Sequence, residues 1–346
     1  MNRITAAANI KIVIGVLITL AVLVAVVAVV RLDVVGSKGG GLGKEFKYEV
    51  NELARIDPNL IIYEESAGPI KTGFANTHGI AVDSKGSVYV AGDKAIRIFA
   101  QNGDRLGEIK LDDMPRCLTV TAAGTIYAGI KEHVEVYDAQ GKQKASWETL
   151  GRDAILTSIV ASEDNVFVAD AGNRIVIRYD IEGGIINKIG KRDTFKNIPG
   201  FVIPSPYFDL AMPKDGLLRV VNPGRLRIEA YTFDGDIEFW WGSPSAAIEG
   251  FCGCCNPVNI AVLPDGGFVT CEKGLVRIKI YNSGGSFVGV VAGPEQLGAG
   301  GTSKICVLPE ECQTNGFDVA VDSEGRVFVL DTVDNIVKVF SRVKGR

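Results

Sequence analysis

Between residues 77 and 345 the sequence repeats one pattern six times, and no other feature restricts the fold as tightly. The copies run 77–109 ("THGIAVDSKGSVYVAG…"), 115–147, 156–190, 207–242, 257–293 and 316–345. Each contains a short apolar strand, a turn such as "DSKG" or "LPDG", a second strand, a short loop, a third strand, a glycine turn and a fourth strand. The apolar residues alternate with period two, and Gly, Asp and Asn stand where a turn needs a positive φ. One such sheet cannot bury both of its faces, so the copies must stack against one another. Repetition at ~40–50 residues with four strands per unit predicts an all-β, six-bladed β-propeller. The sixth copy stops one strand early. The segment "NLIIYEES" (59–66) precedes the first copy and is expected to supply the missing outer strand, which removes the free edge of an open ring. The propeller should therefore occupy residues 56–346.

The rhythm of "GIAVDSKGSVYVAGDKAIRIFAQNGD" (79–104), found again at 159–184 and 316–340, resembles the NHL-repeat family. The resemblance covers roughly residues 59–346. It is fairly specific for fold and weak for function, since proteins of this type include sensor domains, protein- and RNA-binding modules, and lyases or lactonases with a central metal.

Residues 12–30, "IVIGVLITLAVLVAVVAVV", form a run of 19 residues without a charge. As a helix it would span about 28 Å, close to the ~30 Å hydrocarbon core of a bilayer. A signal peptide would have a shorter apolar region ending in a cleavage site. Here the run meets Arg31 directly, so residues 12–31 read as an uncleaved transmembrane anchor after a short tail (1–11). A linker at 32–55, containing "GSKGGGLG", follows it. Arg3 and Lys11 lie before the span, and Arg31, Lys38, Lys44 and Lys47 after it, so charge does not fix the orientation. The expected arrangement keeps the tail in the cytoplasm and places the propeller on the extracytoplasmic side. Seven basic and four acidic residues over 1–55 leave 30 basic and 37 acidic residues over 56–346, a net of −7. An acidic body of this kind argues against nucleic acid, which requires a basic face. A protein or small ligand is the expected partner.

The stretch "GFCGCCNPVNIAVLPDGGFVTCEKG" (250–274) holds four of the seven cysteines. In a propeller it lies where blade five begins, on the face shared by the inter-blade connections. Cys306 and Cys312 fall in the next connection, and Cys117 begins the first strand of blade two. Two readings stand beside simple packing. Disulfides suit an oxidising compartment, with Cys306–Cys312 and Cys252 or Cys255 to Cys271 as pairs and Cys117 left over. Alternatively, the C-x-x-C spacing of Cys252 and Cys255, completed by Cys271 with Cys306 or Cys312, suits zinc or an iron–sulfur cluster. The second reading would make the protein a redox or metal protein, such as a subunit of a membrane electron-transfer complex.

The residues at the head of each first strand are Gly79 (with His78 beside it), Cys117, Ser158, Asp209, Asn259 and Asp318. The ends of the second strands add Asp170, Asn222, Glu272 and Asp331. Their oxygens converge near the axis and suit a hard cation such as calcium, as a cation-dependent lyase or hydrolase would need. The competing reading is that they cap turns and bond the backbone. Amidating lyases of similar fold use several histidines for zinc, whereas this chain has only His78 and His133. Trp240, Trp241 and Phe251 flank the cysteine loop and are candidate binding aromatics. The ligand-binding candidates are thus Trp240, Trp241, Phe251, His78, Asp209, Asn259 and Asp318.

Overall fold

In a computed structural model of the chain, residues 14–24, 50–195, 198–298 and 316–345 are described. Two separate units are present, residues 1–49 and 50–346. The larger is a six-bladed β-propeller of six four-stranded antiparallel sheets. Blade one runs from Thr77–Val82 to Arg105–Lys110, blade two from Pro115–Val120 to Gln143–Ser146, and blade three from Leu156–Ala161 to Ile185–Ile189. Blade four runs from Leu210–Ala211 to Ile237–Trp241, and blade five from Asn259–Val262 to Phe287–Ala292. Blade six comprises Phe317–Val321, Val327–Asp331, Ile336–Arg342 and, out of sequence, Tyr63–Lys71.

The second strand of every blade is buried along its whole length, from Val88–Gly92 in blade one to Val327–Asp331 in blade six. Each is covered on both faces by neighbouring blades, which explains why these strands read as near-continuous apolar runs. The outer strands are more exposed, as Gln143–Ser146 and Ile185–Ile189 show, except in blade five, where Phe287–Ala292 is largely buried. Apolar clusters fill the gaps between successive blades. Ala91, Ile96, Leu118 and Ala128 join blades one and two; Val258, Val276, Phe317 and Val329 join blades five and six.

The ring closes where Tyr63–Lys71 pairs with Ile336–Arg342, for example Tyr63 opposite Arg342 and Ile70 opposite Val337. The closing strand begins at Tyr63, four residues later than the "NLIIYEES" reading placed it. Pro58–Leu60 forms a turn of 3-10 helix, capped by Asp57, whose side chain accepts the Asn59 N–H. Ile61 and Ile62 instead meet blade five: Ile61 bridges Val290, and the Ile62 N–H donates to the Val290 carbonyl at 3.0 Å. The segment therefore joins the last two blades before it enters the sheet.

The helical residues described near the N-terminus are 14–24. Among the described residues no helix is long and apolar enough to cross a membrane. The remainder of the expected span at 12–31 lies outside the described residues.

Candidate functional site

The first strands of the six blades line a central channel. Its neck is a cavity of about 210 Å³ bordered by Cys117, Ser158, Asp209, Ile260 and Asp318. Above it opens a mouth of about 440 Å³, lined by His78, Arg116, Tyr207, Phe208, Asn259 and Phe317, with Asp318 common to both. The mouth is amphipathic, with aromatic walls and a few polar groups directed inward, as small-molecule sites commonly are.

The strand-head residues do two things at once. Asp318 of blade six accepts the Ile80 N–H of blade one at 3.0 Å, and Asp209 of blade four accepts the Ile260 N–H of blade five at 2.7 Å. Ser158 of blade three accepts the Leu210 N–H of blade four at 3.2 Å, and Asn259 donates to the Phe317 carbonyl of blade six at 2.6 Å. Each of these side chains clasps the next blade. The same position is Gly79 in blade one and Cys117 in blade two, which lack a comparable oxygen.

Both carboxyls are buried, and burial raises their pKa values. Asp209 is pushed up to about 6. Asp318 is pushed up to about 8, by burial first and then by the charge of Asp209. At neutral pH the pair therefore keeps one proton, carried chiefly by Asp318. Burial is also the main cause that raises the Cys117 and Cys271 thiols, so both are neutral. His78 is shifted down, by burial and then by the Arg116 guanidinium. Arg116 itself is exposed and has no hydrogen-bond or ion-pair partner among the described residues.

The strand-end residues also hold the backbone. Asp170 accepts the Ile155 N–H at 3.0 Å, Asn222 the Val202 N–H at 3.0 Å, and Glu272 the Cys252 N–H at 2.9 Å. In each case the end of the second strand grips the connection entering its own blade. Asp331 bonds its following turn, at Val333 and Asp334. Among the described residues no group of three or more His, Cys, Asp or Glu side chains is placed to hold a metal ion. The calcium, zinc and iron–sulfur expectations thus have no donor set there.

Among the described residues the cysteine loop is fastened by buried ion pairs and hydrogen bonds to its backbone. Cys117, Cys252, Cys254, Cys255 and Cys271 are free thiols among the described residues. Cys271 lies opposite Asn259 in the sheet and packs with Val258, Val269 and Val276 in the core between blades five and six. Its alternation with Val269 was the available signal, and it separates Cys271 from the loop thiols. Cys306 and Cys312 lie outside the described residues. Glu272 accepts Arg277 Nε at 2.6 Å and lies 3.3 Å from Lys279 Nζ, all three side chains being almost wholly buried. Arg277 donates to the Ala246 carbonyl, Lys279 to those of Ile248 and Gly250, and the Tyr281 hydroxyl to that of Glu249. Burial drives the Lys279 pKa down to about 8, against the pull of Glu272.

The three candidate aromatics separate. Trp241 is only 7% exposed and Phe251 is fully buried. They stack with Phe268 and Tyr281 at centroid distances of 4.8–6.3 Å, and Gly285 leaves the space that the Trp241 ring fills. Both are core residues: Trp241 because the outer strand of blade four turns alternate side chains inward, and Phe251 because the connection entering blade five packs it onto the same aromatic cluster. Trp240 faces out, is 54% exposed, and lies beneath Arg227 at 4.6 Å. Residues that sequence reasoning missed include Arg116 and Tyr207 in the mouth and Lys273, which packs over the Tyr207 ring at 4.6 Å. Arg116 had a usable signal, since it lies directly before the strand-head Cys117.

No protein-family model matches the sequence, and no curated protein is significantly similar to it. Solved structures do resemble the fold. A catalytically inactive virginiamycin B lyase from Staphylococcus aureus with quinupristin superposes with a TM-score of 0.57 at 13% identity, covering 81% of this chain and 100% of that one. A protein of unknown function from Bacteroides thetaiotaomicron gives 0.59 at 17% identity, covering 80% and 72%. The WD40 β-propeller domain of Doa1 gives 0.52 at 17% identity, covering 80% and 82%. At these identities the likeness is one of fold alone.

Proposed function

We propose that this protein is a membrane-tethered, extracytoplasmic binding propeller that takes a small anionic ligand in the mouth of its channel. The observation that carries the reading is Arg116, a guanidinium with no partner among the described residues, which stands with His78 on a mouth otherwise walled by Tyr207, Phe208 and Phe317. Below them Asp318 keeps its proton at neutral pH, so it offers an anion a donor rather than a repelling charge. An aromatic or aliphatic carboxylate, or a phosphate ester, fits that combination. The similar fold of a lyase crystallised with quinupristin supports a small molecule as the occupant of such a site. Residues 12–31 would supply the tether, and the net charge of −7 over 56–346 disfavours nucleic acid as a partner.

The test is a thermal-shift titration with a panel of small carboxylates and phosphate esters. Anions that stabilise the wild type should bind Arg116→Ala about tenfold or more weakly, as loss of a charged hydrogen bond of about 1.5–3 kcal/mol implies. Affinity should also fall as pH rises through about 8, because ionised Asp318 repels the ligand. Anions that bind both proteins equally would refute the reading.

A further inference from the structure

Cys254 and Cys255 are neighbours in sequence, and in an extended strand their side chains would point to opposite sides. Here their sulfurs lie 3.3 Å apart. The loop turns immediately before the pair at Gly253, whose φ of +92° is open to glycine at little cost. The conformation is held from both flanks. Before the pair, the Cys252 N–H is fixed by Glu272. After it, Asn256 donates to the carbonyls of Cys252 and Lys273 and accepts the Lys273 N–H at 2.9 Å. Cys254 is exposed and Cys255 is buried. An accessible sulfur is therefore backed by a second sulfur that solvent reagents do not reach directly. Lys273, the cation that acts on Cys254, also donates to Ser205 and covers Tyr207 on the wall of the mouth.

We infer that Cys254 and Cys255 form a thiol–disulfide exchange site, with Cys254 as the attacking sulfur and Cys255 as the resolving one. The co-reactant is a disulfide, either a small one such as oxidised glutathione or one carried by a protein. Cys254 gives its proton to solvent, and its thiolate attacks one sulfur of the incoming disulfide. That S–S bond breaks and the first thiolate leaves, giving a mixed disulfide on Cys254. Cys255 then loses its proton, attacks Cys254 Sγ and expels the second thiolate. Two protein thiols are oxidised by two electrons, and one external disulfide is reduced to two thiolates, which take up from solvent the two protons that Cys254 and Cys255 released. Adjacent Cα atoms lie ~3.8 Å apart, below the ~4.4–6.8 Å usual across a disulfide, so the product bond is strained and readily reduced. A bond of that kind suits a reversible site rather than a permanent brace. The reaction requires no metal and leaves the ionic fastening of the loop in place.

The experiment uses the reduced full-length chain, treated with excess oxidised glutathione, quenched in acid, alkylated and mapped by mass spectrometry. In the wild type, Cys254 and Cys255 should lose alkylation together, and the peptide carrying both should weigh two hydrogens less with no glutathione retained. Dithiothreitol should restore both labels. Cys255→Ser should instead retain one glutathione on Cys254, because nothing resolves the adduct. Cys252→Ser should react like the wild type. The hydrogen bond with Cys255 raises the Cys254 pKa, so the reaction should quicken as pH increases. Glutathione retained on wild-type Cys254, a bond between Cys252 and Cys254, or persistent labelling of both thiols would each overturn the assignment.

Discussion

Blade one and blade five place a cation at the same point of the repeat, the centre of the third strand. Arg97 lies opposite Val90 in blade one, and Lys279 lies opposite Thr270 in blade five. Arg97 is half-buried, bonds Glu108 on the neighbouring strand and the Thr72 carbonyl, and stacks on Phe74. Lys279 is completely buried. The difference lies in the connection that enters each blade. Blade one is entered by residues 72–76, and blade five by residues 242–258. The longer connection folds back over the third strand and turns the carbonyls of Ala246, Ile248, Glu249 and Gly250 toward it. A charge on the solvent side of the repeat thus becomes the anchor of a loop. Buried cations require this full set of acceptors, since each would otherwise bear a large desolvation cost. Arg277 Nη2 is one donor there without a partner among the described residues.

The largest expected effect comes from removing the shared anion. Glu272→Gln leaves Arg277 and Lys279 buried with one formal countercharge fewer and should destabilise by about 3–5 kcal/mol. Glu108→Gln, its counterpart in blade one, should cost only ~0–1 kcal/mol. Urea unfolding of both variants measures the difference, and similar losses would dissolve the contrast between the two blades.

Next in size is the aromatic packing beneath the same loop. Trp241→Ala should cost about 3–5 kcal/mol, as truncation of a buried large aromatic does. Trp240→Ala should cost less than ~1 kcal/mol, the value of an exposed cation–π contact with Arg227. Equal losses for the two tryptophans would mean that the outer strand of blade four is wrongly faced.

Much of this architecture was legible in the residues. Period-two alternation and the turn glycines gave six blades, because burial of the second strand on both faces leaves a strong apolar signature. Cys271 reads instead as a disulfide partner or metal ligand, although its alternation with Val269 puts it on the buried face of the strand. The buried ions were not legible. In "LVRIKIY" the residues Arg277 and Lys279 alternate with Val276, Ile278 and Ile280, which reads as a solvent-facing row. Only the return of the distant loop at 246–250 buries them, and no local pattern announces that. For the same reason the acidic and amide residues at the strand ends suggested a cation site. Their oxygens are taken up by backbone N–H groups of incoming connections, as at Asp170, Asn222 and Glu272. The mouth was partly legible: His78, Asp209, Asn259 and Asp318 line the channel, whereas Trp241 and Phe251 belong to the core.

A smaller effect sharpens the comparison through pH. Lys279 titrates near 8 in the folded chain and at its ordinary, higher value when unfolded. Between about pH 8 and 10.5 the unfolded chain therefore binds more protons, and stability should rise with pH by up to ~1.4 kcal/mol per unit from this group. Lys279→Met should remove that rise, and Arg97→Met should leave it. A rise that survives Lys279→Met would assign it to another group.

Among the described residues, the buried ions Glu272, Arg277 and Lys279 hold the cysteine loop in place. Amide hydrogen exchange at Cys252, followed in protein kept reduced and treated with a chelator, tests it most directly. The Cys252 N–H bonded to Glu272 should exchange slowly under those conditions, and Glu272→Gln should make it fast while Glu108→Gln leaves it unchanged. Fast exchange in the reduced, chelated wild type, or slow exchange in Glu272→Gln, would contradict the account.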